Sequence, residues 1–251
     1  MTKTSSDKTA ASLCGVILAA GAGSRLGYPN EIGGKPMVPV AGDPLVAHNL
    51  RRLAAAGVDE VALVVNPVNR PVIEAFVGSG ADFGVQVTYV MQEVPLGIAH
   101  ALSLCADFAA GRHVLLLLVD NLFSADIGAA VAQYREQGGD KAEIFLLPVP
   151  NPQDYGVAVL QDNRLQALVE KPKPPVSNLA VIGLYLYPPT AFDYIPSLVP
   201  SARGELEITD LNSLFLQQGL LNYQLLDGWW LDVGTPERLA EAEQMLKNSR
   251  K

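Results

Sequence analysis

The sequence predicts an α/β fold, a mixed but mostly parallel sheet covered by helices on both faces, with a smaller β-rich subdomain in the last third. Three observations carry that reading. Through the first two thirds, short continuous apolar runs alternate with segments of helical periodicity, and strands apolar on both faces belong in a sheet covered on both sides. In the last third the pattern shifts, and two β-rich runs, 156–160 and 165–170, flank Asp162 and Asn163, a hairpin signal. Finally, 251 residues with 49% hydrophobic and 18% charged content suit one large domain with its own core, not a disordered or disulfide-stapled chain.

The elements follow in order. Residues 15–19 are short, apolar and rich in β-formers, and a glycine-rich turn follows. Residues 43–56 place Leu45, Val46, Leu50 and Leu53 at helical spacing, with Gly57 as the stop. A strand is predicted at 61–65, and a short helix opened by Pro71 at 71–77. Strand, helix, strand, helix, strand follow at 85–90, 97–108, 114–119, 124–137 and 144–149. After the hairpin, a proline-rich loop at 171–175 leads to a strand at 179–187, helices at 190–195 and 208–218, and a strand at 222–226. The last helix, 236 to about 247, has Thr235 as its N-cap and Pro236 in its first turn. The late strands read as a subdomain laid against the sheet. Residues 1–11 read as a disordered leader and 12–251 as one domain, divided at about 150 and about 235, with 236–251 a C-terminal helix and tail.

Charge and composition exclude several classes. A net charge of −8 argues against nonspecific nucleic-acid binding and against an anionic membrane surface, although a local cation cluster could still hold a small anion. The longest apolar run, 114–119, is far short of the ~20 residues that span a bilayer. Lys3 and Lys8 before the small-residue stretch 10–22 resemble a secretory signal, but cleavage there would remove the glycine loop. Cys14 and Cys105 are too few for a disulfide framework and read as buried thiols in a reducing cytoplasm.

In an open parallel sheet, ligands bind beyond the carboxyl ends of strands. Two strand ends stand out. The first is Leu18, Ala19, Ala20, Gly21, Ala22, Gly23, Ser24 and Arg25. Small residues admit close backbone approach, and successive N–H groups form an anion nest. Leu26 spoils a dinucleotide glycine motif, and Pro36 after Lys35 spoils a Walker A loop. Arg25 suits bidentate phosphate contact, and Lys35 adds a second cation. The second end is Asp120-Asn121 after an apolar strand, a common way to hold Mg²⁺, and Asp232 is a further carboxylate before a helix start. Each aspartate could equally be a cap. His48, His100 and His113 sit in helical or strand patterns and read as structural.

The segments GVILAAGAGSRLG, GGKPMVPV, QEVPLGIAHA, VDNLF, YGVAVL, EKPKPPVSNLAVIGLYLY, PSARGELEITD and WWLDVGTPE, in that order, resemble the sugar-1-phosphate nucleotidyltransferases. The pattern is nearest to the glucose-1-phosphate thymidylyltransferase branch in a short form. The resemblance implies a Rossmann-like fold with a nucleotide-binding first part and a β-rich sugar-phosphate-binding second part. It implies that Arg25 and Lys35 grip the triphosphate, that residues 18–24 with Gln92, Pro95 and Gly97 hold the nucleoside, and that Asp120 and Asp232 bind Mg²⁺. It places Asn121, Tyr155, Gly156, Glu170, Val181 and Trp230 around the sugar, with Lys171 and Arg203 on its phosphate. Arg25, Lys35, Asp120, Lys171 and Asp232 would be the catalytic set.

The implied reaction joins a nucleoside triphosphate, dTTP or UTP, to a sugar 1-phosphate such as glucose 1-phosphate, giving a nucleoside diphosphate sugar and pyrophosphate. A cytoplasmic homo-oligomer is implied, without nucleic-acid or membrane partners. The chain departs from the family pattern at Gly34, Asp43, Val119 and Ile182, and Ile182 beside Val181 bears on which hexose is taken. GTP or CTP, a cyclitol phosphate, or a non-catalytic sugar-nucleotide sensor remain alternatives. The polar KNSRK tail is expected to be too short to build the second nucleotide site of longer relatives, so product should inhibit at the active site.

Overall fold

The computed structural model describes residues 12–21 and 26–249, so the expected leader and the loop residues Ala22, Gly23, Ser24 and Arg25 lie outside the described residues. The chain opens with β1 (Leu13–Leu18), a small ribbon of β2 (Pro39–Val40) and β3 (Asp43–Pro44), and α1 (Leu45–Ala55). Next come β4 (Glu60–Val65), α2 (Arg70–Val77), β5 (Gln86–Met91), α3 (Ile98–Ser103) and α4 (Ala106–Ala109). They are followed by β6 (His113–Leu118), β7 (Asn121–Phe123) and α5 (Ile127–Glu136). The last part holds β8 (Ala142–Pro148), β9 (Gly156–Gln161), β10 (Arg164–Glu170), β11 (Leu179–Tyr187) and α6 (Ala191–Tyr194). It closes with α7 (Ile208–Gln217), β12 (Leu221–Leu225), β13 (Trp230–Asp232) and α8 (Pro236–Ser249).

The main sheet runs β10-β9-β11-β6-β1-β4-β5, with β8 also on β11 and β12 on β8. β6, β1, β4 and β5 are parallel, while β11 is antiparallel to β6, β8 and β9. The mixed, mostly helix-covered sheet is the predicted one. The late strands, however, extend it edge to edge through β11 instead of lying over a face, because β11 offers one edge to β8 and the other to β9 near its start and to β6 near its end: Ala180 pairs with Leu147 and Val157, and Tyr185 with Ile144 and Leu116.

Alternation along each strand separates two cores. On β6, Leu115 and Leu117 face α1, while Val114 and Leu116 face Leu102 of α3 and Phe215 of α7. All four are fully buried. Burying each leucine contributes roughly 1.5–3 kcal/mol, which explains why these strands read as continuous apolar runs.

Several boundaries differ from the pattern for local reasons. The helix expected at 97–108 breaks into α3 and α4, because Cys105 N–H tightens onto Leu102 O at 2.9 Å and Ser103 Oγ bonds back to His100 O at 2.7 Å. The helix expected from 124 starts at Ile127, because Asp126 caps it through Gly128 N at 2.8 Å. The Asp162–Asn163 hairpin has φ of 50° and 56°, the left-handed pair of a two-residue turn. Thr235 caps α8 through Arg238 N at 3.3 Å.

Cys14 and Cys105 are buried free thiols, and burial pushes them up to about 11 and about 12. His48 is held by Val40 O at 2.8 Å and His113 by the Tyr134 hydroxyl at 2.9 Å, so both are structural as expected. Among the described residues, no helix is long and apolar enough to cross a membrane.

Candidate active site

The parallel strands β1 and β6 end side by side, with Leu18 in register with Leu118. The glycine segment and Asp120 therefore leave the sheet together. Two asparagines hold that segment: the buried Asn69 donates from Nδ2 to Ala19 O and the half-buried Asn66 from Nδ2 to Ala20 O, each at 2.9 Å. A third, Asn49 on α1, donates to Val119 O at 2.8 Å and anchors the residue before Asp120. Sequence reasoning missed all three. Their signal was weak, since asparagine in a sequence usually marks a turn.

Beyond these strand ends lies a cavity of about 460 Å³ lined by Leu18, Ala20, Gly21, Lys35, Gln92, Pro95, Gly97 and Asp120, among others. Every described residue expected at the nucleotide contributes to it except Ala19, which is fully buried. Gly97 has φ of +103°, and its α-carbon lies against Leu206, whose N–H donates to Leu96 O at 2.8 Å and whose carbonyl accepts from Ala99 N at 3.1 Å. This clasp joins the 92–98 loop to the 201–207 loop.

A second cavity of about 310 Å³ adjoins the first, and Asp120 lines both. It brings together Asn121, Tyr155, Gly156, Glu170, Lys171, Val181, Arg203 and Trp230, the whole expected sugar-phosphate set, with Asp232, the second carboxylate expected at the metal. Glu170 accepts from Thr209 Oγ1 at 2.6 Å and pairs with Lys171 Nζ at 3.0 Å. Arg203 makes two contacts to Glu207, at 2.8 and 2.9 Å. Glu207 precedes α7 as expected, yet its carboxylate serves Arg203 and Ser201 and does not cap the helix. Ile182 is a correction: it is fully buried in the core on the opposite face of β11, so strand alternation takes it away from the sugar cavity and leaves Val181 and Gly183 there.

A ribbon of two three-residue strands, unseen in the sequence, makes the centre. β13 pairs with β7, setting Asn121 opposite Asp232, and Val233 N donates to Asp120 O at 2.8 Å. Asn121 Oδ1 accepts from Trp230 Nε1 at 2.6 Å and from Gly183 N at 2.8 Å, while its Nδ2 donates to Asp120 Oδ1 at 2.8 Å. Trp230 stacks edge-on with Tyr155 at 4.9 Å, so it is a cavity wall and a packed residue at once. Lys35 Nζ sits 2.6 Å from Asp120 Oδ2.

Burial, reinforced by the Asp120 charge, holds the Asp232 carboxyl well above the usual carboxylate range. Among the described residues, the buried Asp232 Oδ1 has no hydrogen-bond partner. Two adjoining carboxylates, one with an unpartnered oxygen, fit a divalent cation that takes one or two carboxylates and completes its shell with phosphate oxygens.

Residues 14–249 match the nucleotidyl transferase family. The glucose-1-phosphate thymidylyltransferase of Mycolicibacterium smegmatis is 38% identical over 93% of this chain and 82% of its own length. The low-salt glycan biosynthesis nucleotidyltransferase Agl11 of Haloferax volcanii is 39% identical over 92% of this chain, which spans 65% of that relative's length. Among solved structures, a putative glucose-1-phosphate thymidylyltransferase from Bacillus anthracis in complex with a sucrose superposes with a TM-score of 0.89 at 39% identity, covering 94% of this chain and 96% of the other. A glycine segment beside an aspartate at paired strand ends, two cavities meeting at that aspartate, and likeness along nearly the whole chain agree: the protein belongs to the nucleotidyl transferase family, among the sugar-1-phosphate nucleotidyltransferases.

Proposed function

We propose that the protein transfers a nucleotidyl group from dTTP or UTP to a sugar 1-phosphate, with glucose 1-phosphate the favoured acceptor. The observation that carries this reading is the meeting of two cavities at Asp120. One has small and apolar walls with Gln92 and Lys35; the other has Lys171, Arg203 and Glu170 around a polar floor. The names of the thymidylyltransferase relatives support the choice of base and sugar.

A sugar phosphate has a second pKa near ~6 and is largely dianionic at neutral pH, so its oxygen can attack the α-phosphorus without a general base. One bond forms between that oxygen and the α-phosphorus. The bond from the α-phosphorus to the β-bridging oxygen breaks, and pyrophosphate leaves with the electron pair. The chain's own work is in-line positioning and charge screening between two anions. Lys171 and Arg203 hold the acceptor phosphate, Glu170 and Gly156 orient the sugar hydroxyls, and Lys35 faces the triphosphate, a role the family resemblance extends to Arg25. Asp120 and Asp232 would hold Mg²⁺, which supplies charge neutralisation at the transferring phosphoryl group.

The test is a grid of nucleoside triphosphates against sugar 1-phosphates and a cyclitol phosphate, read by pyrophosphate release. Turnover with dTTP or UTP and glucose 1-phosphate is expected. Turnover only with GTP, CTP or ATP would overturn the base assignment, and no turnover with any pair would overturn the reaction.

A further inference from the structure

Among the described residues, Gln92 is the sole carboxamide lining the first cavity, and it is only 6% exposed. Its side chain meets two groups. Nε2 lies 3.4 Å from Gly97 O and 3.0 Å from His100 Nδ1. A carbonyl oxygen can only accept, so the contact with Gly97 fixes which end of the amide is nitrogen. With Nε2 as the donor on that side, His100 Nδ1 must accept, and the neutral imidazole carries its proton on Nε2. Both amide hydrogens are then committed. No hydrogen bond within the described residues uses Oε1, so the group left for a ligand in the cavity is an acceptor.

We propose that His100 is a positioning residue that sets base selectivity, by holding Gln92 with its carbonyl oxygen as the face offered to the nucleobase. The inference rests on the nucleotide occupying the first cavity. Uracil and thymine carry a ring N3–H that this oxygen accepts. Cytosine presents a bare N3 lone pair there, which meets the oxygen as acceptor against acceptor. Without His100 one amide hydrogen loses its partner. The remaining contact with Gly97 is the longer of the two, so the amide becomes free to turn and the two pyrimidines become less distinct.

The experiment measures equilibrium binding of UTP and CTP, with no acceptor sugar present, to the wild-type chain, His100→Asn and His100→Phe. Asn places an acceptor oxygen near the position of the imidazole Nδ1, and Phe fills the volume without one. UTP preference is expected in the wild type and in His100→Asn, and a loss of about tenfold in that preference in His100→Phe, the scale of one neutral hydrogen bond. In turnover, His100→Phe should raise KM for UTP while kcat at saturation holds. A second measurement needs no variant. With three histidines in the chain, long-range ¹H–¹⁵N correlation spectra resolve each tautomer, and His100 is expected to be protonated at Nε2 alone. Equal affinity of the wild type for UTP and CTP, an unchanged preference in His100→Phe, or a proton on His100 Nδ1 would each overturn the proposal. Intact UTP selectivity without pyrophosphate release from any sugar phosphate would remove the proposed reaction and leave the role of His100 standing.

Discussion

Replacing Gly97 by alanine tests the clasp between the two loops. Its φ of 103° with ψ of 174° is backbone that essentially only glycine adopts and costs an L-residue roughly 1–3 kcal/mol. A Cβ there would also stand 2.5 Å from Leu206 O and 2.7 Å from Leu206 N. Both are backbone atoms, so no rotamer change relieves the collision. The 206 segment must retreat, lengthening the 2.8 Å bond from Leu206 N to Leu96 O and the 3.1 Å bond from Ala99 N to Leu206 O. At about 0.5–1.5 kcal/mol per hydrogen bond, the substitution should cost about 2–6 kcal/mol in all. Gly42→Ala is the control: its φ is +96°, yet nothing lies within 4 Å of the added carbon, so it should show the conformational part alone. Urea unfolding gives both stabilities, and initial rates give KM for nucleotide and sugar phosphate. Gly97→Ala should exceed Gly42→Ala by about 1–3 kcal/mol, two weakened hydrogen bonds, and raise KM for both substrates. Equal stabilities would refute the clasp, and a nucleotide KM unchanged in a well-folded variant would refute its place in the site.

Further outcomes follow from the same geometry. Asp120→Asn and Asp232→Asn should each lower kcat by orders of magnitude with the fold retained, and near-normal kcat at saturating Mg²⁺ would reduce that residue to a cap. Lys171→Ala should raise KM for the sugar phosphate about ten- to hundredfold, the loss of a charge-assisted contact, whereas a raised nucleotide KM instead would reassign the lysine. Gly183→Ala puts a carbon 2.6 Å from Asn121 Oδ1 and should depress kcat by displacing Asn121 from Trp230 and Asp120; wild-type kcat would show that Asn121 moves freely. Glu143 on β8 is 1% exposed, and burial raises its pKa above the ordinary 4.5. Its folded-state pKa lies above the unfolded one, so the stability it has as a neutral acid is full below pH 4.5 and lost as pH rises through the raised value. Glu143→Gln should therefore gain on the wild type in urea melts from acid to neutral pH, and parallel pH profiles would contradict this.

Much of this was legible in the sequence because long apolar runs leave little choice. The 114–119 run could only be a strand covered on both faces, so the aspartate after it had to stand at a sheet end. The hairpin at Asp162 and Asn163 was equally plain, since those residues tolerate left-handed backbone. What could not be read is non-local. β7 and β13 are three residues each, too short for any period, and become strands only because the chain returns Trp230 to Asn121 across a sequence separation of 109. Ile182 was misplaced because a neighbour in sequence is an opposite face in a strand. His100 read as a structural residue that could neighbour the base loop, since the helical pattern brings it close in sequence but does not show its ring reaching back to Gln92.

The pairing of β7 with β13 also bears on when, during synthesis, the protein becomes an enzyme. The chain through β6 can form its parallel strands as soon as it leaves the ribosome, so a glycine segment beside Asp120 exists early. The second carboxylate does not arrive until residue 232, after β12 has taken its place on β8. A nascent chain can therefore hold most of the sheet and still lack half of its acidic centre. Stalled chains released before and after residue 232 should differ little in protease resistance of the sheet and completely in pyrophosphate release.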